Sequence, residues 1–198
     1  MNIIRCPWCL GDELYMKYHD EEWGNPVKKD IELFEALILD GAQAGLSWIT
    51  ILKRREAYRE AFDGMNPEKI ARYGNKEVAR LMGNPGIIRN KRKILSAIGN
   101  AQSYLAMMEG PGFAQWFWDW VEGKPIVNHY KTMKEVPAYT ELSARISKEL
   151  KKRGFSFVGP TIIYAFMQAS GLVNDHLTDC FCRSDLKQPQ SRQDNMKS

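Results

Sequence analysis

The chain has 198 residues, 44% of them hydrophobic and 26% charged, a balance that supports one domain with its own core and no disulfide framework. No apolar run approaches the roughly 18 residues of a membrane span, and the N-terminus is too short and too polar for a secretion signal, so a cytoplasmic protein with no membrane contact is expected. The net charge of +4 is compatible with a polyanionic partner but lacks the density of a basic tail.

Strand-like alternation is nearly absent, whereas apolar spacings of three and four recur, and the pattern predicts an all-α fold. The first helical run covers 31–39, with Leu33, Phe34, Leu37 and Ile38 on one face. Ser47 is placed as the N-cap of a helix through Phe62, because a serine oxygen accepts an orphan backbone N–H. Pro67 opens a short helix after Asn66, and 77–82 forms another. Gly83-Asn84-Pro85-Gly86 is a turn signal, and the longest helical run follows at 88–108, so helix, hairpin, helix is the expected order over about 76–108. An aromatic helix at 112–121 carries Phe113, Trp116, Phe117 and Trp120. Thr140 then caps a basic helix that stops at Gly154, and Pro160 opens a last one closed by Gly171. Residues 1–182 read as one helical domain, and 183–198, polar with hardly an apolar anchor, as a disordered tail.

The four cysteines fall in two clusters, Cys6 with Cys9 and Cys180 with Cys182, and a reducing compartment argues for metal over disulfides. A closed structural zinc site needs four thiolate or imidazole donors. Spacing leaves two sets open: Cys6, His19, His176 and Cys180, or the all-sulfur set Cys6, Cys9, Cys180 and Cys182. His176 and Cys180 stand one helical turn apart, so a helix there would aim both at one ion. Either set ties the first twenty residues to the last ordered ones and closes nearly the longest loop available. Buried thiols with a core histidine are the bland alternative, and a catalytic zinc with three protein ligands is disfavoured.

Three stretches are richer in aromatic and special residues than a plain core requires: YMKYHDEEWG from Tyr15, LDGAQAGLSW from Leu39, and RGFSFVGPTIIYAFMQASGLVNDH from Arg153. From Cys6 to Cys180 the chain resembles the DNA-3-methyladenine glycosylase I family, a branch of the helix-hairpin-helix DNA glycosylases. The resemblance implies the mixed zinc set Cys6, His19, His176 and Cys180, leaving Cys9 and Cys182 as spare thiols. It also implies a base pocket walled by Trp8, Tyr18, Trp23 and Trp48, with Asp40 where the family often carries glutamate. Gln43 is a candidate to orient the base or the carboxylate, while Tyr15 is expected only to pack. A purine alkylated at N3 is cationic, and aromatic faces attract a cation by roughly 0.5–2 kcal/mol each while a carboxylate adds a charge-assisted hydrogen bond.

A base inside a duplex is out of reach, so the enzyme the resemblance implies must flip the nucleotide and fill the gap. Gly86 and Ile87, read as the start of the long helix, are expected to offer backbone N–H groups to a phosphate, with Arg89, Lys91, Arg92 and Lys93 beside them. Leu46 is the candidate wedge. The expected reaction is hydrolysis through an oxocarbenium-like sugar, with the base leaving neutral and needing no general acid. No Asp or Glu lies between Gly86 and Glu109, and no lysine after the hairpin sits in a nucleophile motif, so a monofunctional glycosylase without lyase activity is expected. Its partners are double-stranded alkylated DNA and the released 3-methyladenine, and a monomer is expected. The rival readings are a zinc-stabilised module that binds lesions without cutting, and a zinc hydrolase unrelated to DNA.

Overall fold

The computed structural model describes residues 3–183, and helices dominate it. They are α1 (Glu13–Glu21), α2 (Asp30–Gln43), α3 (Trp48–Leu52), α4 (Arg55–Ala61), α5 (Pro67–Ile70), α6 (Asn75–Gly83), α7 (Lys91–Met108), α8 (Phe113–Asp119), α9 (Glu141–Lys152) and α10 (Pro160–Ala169). Two short strands, β1 (Ile126–Val127) and β2 (Val173–Asn174), pair in parallel with Ile126 opposite Val173. Strands this short leave no alternation for the sequence to reveal. Among the described residues no helix is long and apolar enough to cross a membrane.

The capping chemistry sets most boundaries. Asn66 accepts from Lys69 N at 3.1 Å to start α5, and Thr140 and Ser143 cap α9 reciprocally, Ser143 N donating to Thr140 Oγ1 at 3.1 Å. Gly171, past the end of α10, has φ +69°, and a Cβ there would stand 2.4 Å from the Asn25 carbonyl carbon, so the turn demands glycine. Helix α1, absent from the predicted elements, begins where Asp12 accepts from Tyr15 N. Its residues carry no simple apolar stripe because its aromatic side face lines a pocket.

Six expectations need correction. Helix α2 runs on to Gln43, so Asp40 is buried inside its last turn and does not follow the helix. The helix expected over 47–62 breaks at Arg54, whose φ of −109° and ψ of 1° lie outside the helical range. Ser47 does stand before α3, but its hydroxyl pairs with Thr50 Oγ1 at 2.8 Å and caps no N–H. The long helix α7 starts at Lys91, with Asn90 Oδ1 accepting from Arg92 N at 3.0 Å, so Gly86 and Ile87 belong to the connection 84–90 and not to the helix start. The segment from His176 to Cys180 is a turn, closed by Cys180 N donating to Leu177 O at 2.9 Å, and not a helix. At the C-terminal end the domain includes Arg183, which is buried; the tail expected beyond it lies outside the described residues.

Helix α2 is the central element and touches α3, α7, α8 and α10. Its Leu33, Phe34 and Leu37 are fully buried, Phe34 lies 4.8 Å from Tyr104 of α7, and α8 meets α10 through Phe117 and Phe166 at 4.7 Å. Each such side chain contributes about 1.5–3 kcal/mol by leaving water. A second, smaller cluster of Cys6, Leu177, Cys180 and Cys182 joins the two ends of the chain.

Candidate active site

The terminal cluster assembles the mixed donor set. The donor atoms of Cys6, His19, His176 and Cys180 lie within 4.8 Å of one another, and all four residues are buried. Cys180 Sγ stands 3.4 Å from His19 Nε2 and 3.5 Å from His176 Nδ1, and Cys6 Sγ stands 3.8 Å from His176 Nδ1. The outer nitrogens are occupied: His19 Nδ1 meets Asp20 Oδ1 at 2.8 Å, and His176 Nε2 meets the Trp23 carbonyl at 3.1 Å. Arg5 in turn grips Asp20 with Nη2 at 2.8 Å. Such partners fix ring orientation and tautomer at a metal site. Cys9 is no part of the set, because its thiol donates to Cys6 O at 3.1 Å; Cys182 lies near His19 and Asp20 on the outer side. Hydrogen bonds from Cys182, Cys6 and the two histidines hold the Cys180 thiol well below its ordinary range, while its contact with Cys180 and burial push Cys6 up. The group could hold a metal ion.

The same cluster fixes the walls of a cavity of about 300 Å³. Trp8, on a 3-10 turn directly after Cys6, lies 5.2 Å from the His19 ring and 5.1 Å from Trp23, and Trp23 lies 4.7 Å from the His176 ring. Tyr18, beside His19 on α1, sits 5.6 Å from Trp48 at the start of α3. All four aromatic residues named from the sequence line this cavity, as do Asp40 and Gln43 of α2. Tyr15, expected only to pack, lines it too, 4.8 Å from Trp8.

Asp40 is the unusual residue. It is 3% exposed, and its Oδ2 has no hydrogen-bond partner among the described residues. Burial pushes its carboxyl well above the ordinary carboxylate range. Its position in the last turn of α2 places it at the end of the helix dipole that favours a cation. The Trp48 indole N–H is likewise buried without a partner, so an acceptor and a donor both await a ligand. Burial, and after it the Asp40 charge, raises Tyr18 well above its usual value, keeping that phenol protonated.

The opposite wall was not singled out residue by residue from the sequence. Thr161, Ala165 and Gln168 of α10 line it at helical spacing, together with Asp175, Val136 and Pro137. The available signal was Gln168, the one long polar side chain in an otherwise apolar helix.

Outside the cavity, Leu46 is 41% exposed on the turn after α2, where Gly45 has φ +79°. Arg89, Lys91 and Arg92 are exposed around the start of α7. Gly86 N donates to Asn84 Oδ1 at 2.8 Å, and a Cβ on Gly86 would stand 3.0 Å from Ala57 Cβ. Ile87 is buried in the core, so this pair anchors the 84–90 connection while the cations face water. Lys93 differs from its neighbours: its Nζ donates to the Ala42 and Ala44 carbonyls at 2.8 and 2.7 Å. It satisfies the orphan carbonyls ending α2 and ties the hairpin to the Leu46 turn.

An aromatic cage with an unpaired acid in its wall suits a flat ring bearing positive charge, and here it is built between helices, so fold and site together define a helical protein that captures a modified base. Within that class, the chain belongs to the methyladenine glycosylase family, whose model matches residues 8–183. It is 49% identical over 181 residues to the DNA-3-methyladenine glycosylase of Haemophilus influenzae, covering 91% of this chain and 98% of that one. It is 50% identical over 179 residues to DNA-3-methyladenine glycosylase 1 of Escherichia coli K12, covering 90% and 96%. A crystal structure of a tyrosine-to-phenylalanine variant of 3-methyladenine DNA glycosylase I in complex with 3-methyladenine superposes with a TM-score of 0.88 at 36% identity, covering 90% of this chain and 97% of that one.

Proposed function

We propose that the chain is a DNA repair enzyme that hydrolyses the N-glycosidic bond of 3-methyladenine in alkylated DNA. The observation that carries this reading is Asp40, a buried carboxyl with an unpartnered oxygen in a cage of Trp8, Tyr18, Trp23 and Trp48. No described residue compensates that acid, and a cationic base supplies both the charge and the hydrogen-bond donor it lacks. Unmodified adenine supplies no charge. The rings hold the flipped nucleotide, Gln43 sits where it can orient base or carboxylate, and the alkylated base departs as a neutral purine. A bond this labile needs no protein acid on the leaving group, and the reading assigns no lyase step.

The Cys6, His19, His176 and Cys180 group fits a closed zinc site. A tetrahedron with metal–ligand distances of about 2.0–2.3 Å has edges of roughly 3.3–3.8 Å, and the three sulfur–nitrogen separations of 3.4, 3.5 and 3.8 Å fall within it. Bound there, the ion acts as a structural clamp. It unites the described residues 3–183 into one domain, and the reducing cytoplasm we assign keeps the thiols free.

For the DNA, α6, the 84–90 connection and α7 serve as a helix-hairpin-helix element gripping one phosphate strand, with Leu46 as the wedge that replaces the flipped base. Exposed Arg89, Lys91 and Arg92 make the grip. Replacing all three with alanine is expected to weaken duplex binding alike for every sequence and to flatten the logarithmic salt dependence by about 0.9 per lost phosphate contact. An unchanged slope in a salt titration removes the hairpin from the interface.

The activity itself is tested by incubating the purified chain with methylated duplex DNA and separating released bases by chromatography. Free 3-methyladenine, with the strand left intact, is the expected product. Salt-sensitive binding without base release identifies a lesion-binding module instead.

A further inference from the structure

Within the cavity wall, three donors converge on one buried carboxylate. Asp175, 2% exposed, accepts from Asn128 Nδ2 at 2.7 Å on one oxygen, and from Tyr164 OH at 2.6 Å and Gln168 Nε2 at 2.8 Å on the other. Asp20, Arg5 and the aromatic rings already have their parts in the site described; this network has none. Its consequence falls on Gln168. A carboxylate accepts and does not donate, so Asp175 fixes which end of the amide faces it: the NH₂ points back, and the carbonyl oxygen Oε1 is left over. Oε1 makes no hydrogen bond among the described residues, and Gln168 lines the cavity together with Asp40 and Gln43 of α2. The residue is held along the chain as well, since its own carbonyl accepts from Gly24 N at 3.1 Å. Small neighbours, Ala165 and Ala169, leave the space in front of it open to a ring.

We propose that Gln168 is a specificity-determining residue of this pocket: its Oε1, locked as an acceptor by Asp175, takes a hydrogen bond from the exocyclic 6-amino group of an adenine-type lesion and rejects guanine-type lesions. The proposal rests on the glycosylase reading above and deepens it. At position 6 adenine offers an amino donor and guanine a carbonyl acceptor. With 3-methylguanine two acceptors face each other, neither satisfied, and the amide cannot turn over to help without breaking its bond to Asp175. The cage answers the charge that both methylated purines carry, and the Asp40 carboxylate can take one of the two 6-amino hydrogens; the locked amide takes the other and sharpens the choice between them. Asp175 is then a positioning residue, acting through Gln168.

The test uses the full chain and methylated duplex DNA containing both lesions. Gln168→Met keeps the length and removes the acceptor. Release of 3-methyladenine is expected to fall by roughly ten- to a hundredfold while release of 3-methylguanine does not fall, so that the ratio collapses. Asp175→Asn leaves Gln168 intact but removes the acceptor-only partner; the freed amide is expected to relax the ratio in the same direction, an outcome that a purely structural loss, lowering both rates together, does not produce. Melting curves accompany each variant, and where Gln168→Met melts early the Asp175→Asn ratio decides. The same preference is read without catalysis from quenching of pocket tryptophan fluorescence by free 3-methyladenine and 3-methylguanine. A wild-type chain that releases neither base overturns the glycosylase reading, and the quenching pair still judges Gln168. Ratios unchanged in both variants, by release or by quenching, overturn the proposal.

Discussion

Asp40→Asn is expected to lower 3-methyladenine release from methylated DNA by about thirtyfold or more, the effect of removing one partner from a buried charge pair at about 2–5 kcal/mol. The substitution keeps the shape of the side chain and removes its capacity to carry charge, so the change isolates the electrostatic contribution. Single-turnover release gives the number directly, free of product binding. Asp40→Glu restores the longer acid and retains the charge; it is expected to stay within about tenfold of the parent, because only the reach of the carboxylate changes. Release unaffected in Asp40→Asn removes the acid from the mechanism.

The burial of Asp40 also fixes two pH dependences. Its folded-state pKa lies well above the 3.8 of an ordinary aspartate, because desolvation disfavours the charged form. In the window between those two values the unfolded chain has lost a proton that the native chain retains, so native stability declines as pH rises through it. Asp40→Asn lacks that decline, and its melting temperature relative to the parent is expected to climb with pH. Release runs the other way: the ionised acid is the form that pairs with the cation, so the parent rate rises with pH over the same window while the residual rate of Asp40→Asn is flat. Stability and activity thus pull on one proton in opposite directions, as expected where an unpaired buried group is kept for function.

The sequence disclosed the helical class and most capped boundaries, because those are written in local chemistry, while the aromatic residues of one pocket wall were named through the family resemblance. Asn66, Thr140, Pro160 and Gly171 act on backbone groups within a few residues, so a reader of the chain can follow them. What escaped was tertiary. The break at Arg54 lets α3 and α4 bury Leu52 and Tyr58 separately, which no periodicity announces. Lys93 looked like one of four hairpin cations, yet it caps a helix fifty-one residues upstream at Ala42. His176 and Cys180 carry helical spacing but converge through a turn. Gln168 was hidden because its role arises from Asp175, seven residues away and outside the helix.

Removing the zinc proposed for the four-donor group is expected to lower the melting temperature by about 10 °C or more, since a clamp from Cys6 to Cys180 would close almost the whole domain into one loop. The chain-entropy description gives about 5 kcal/mol for a loop of this length, and at roughly 2–4 °C per kcal/mol for a domain of this size the shift is well outside error. Base release should fall with it, because Trp8 and Trp23 rest against the rings of His19 and His176, and the cage loosens when those rings lose their common anchor. Cys9→Ser and Cys182→Ser stand outside the donor set and are expected to retain the metal, whereas Cys6→Ser is expected to lose it. Elemental analysis, melting with and without a chelator, and the absorption of the cobalt form with its two-thiolate, two-imidazole signature distinguish the cases. A chain that purifies without metal and melts at the same temperature before and after chelation leaves the four donors as a hydrogen-bonded core cluster, and the order of the aromatic cage then has to come from Arg5, Asp20 and the Trp23 carbonyl alone.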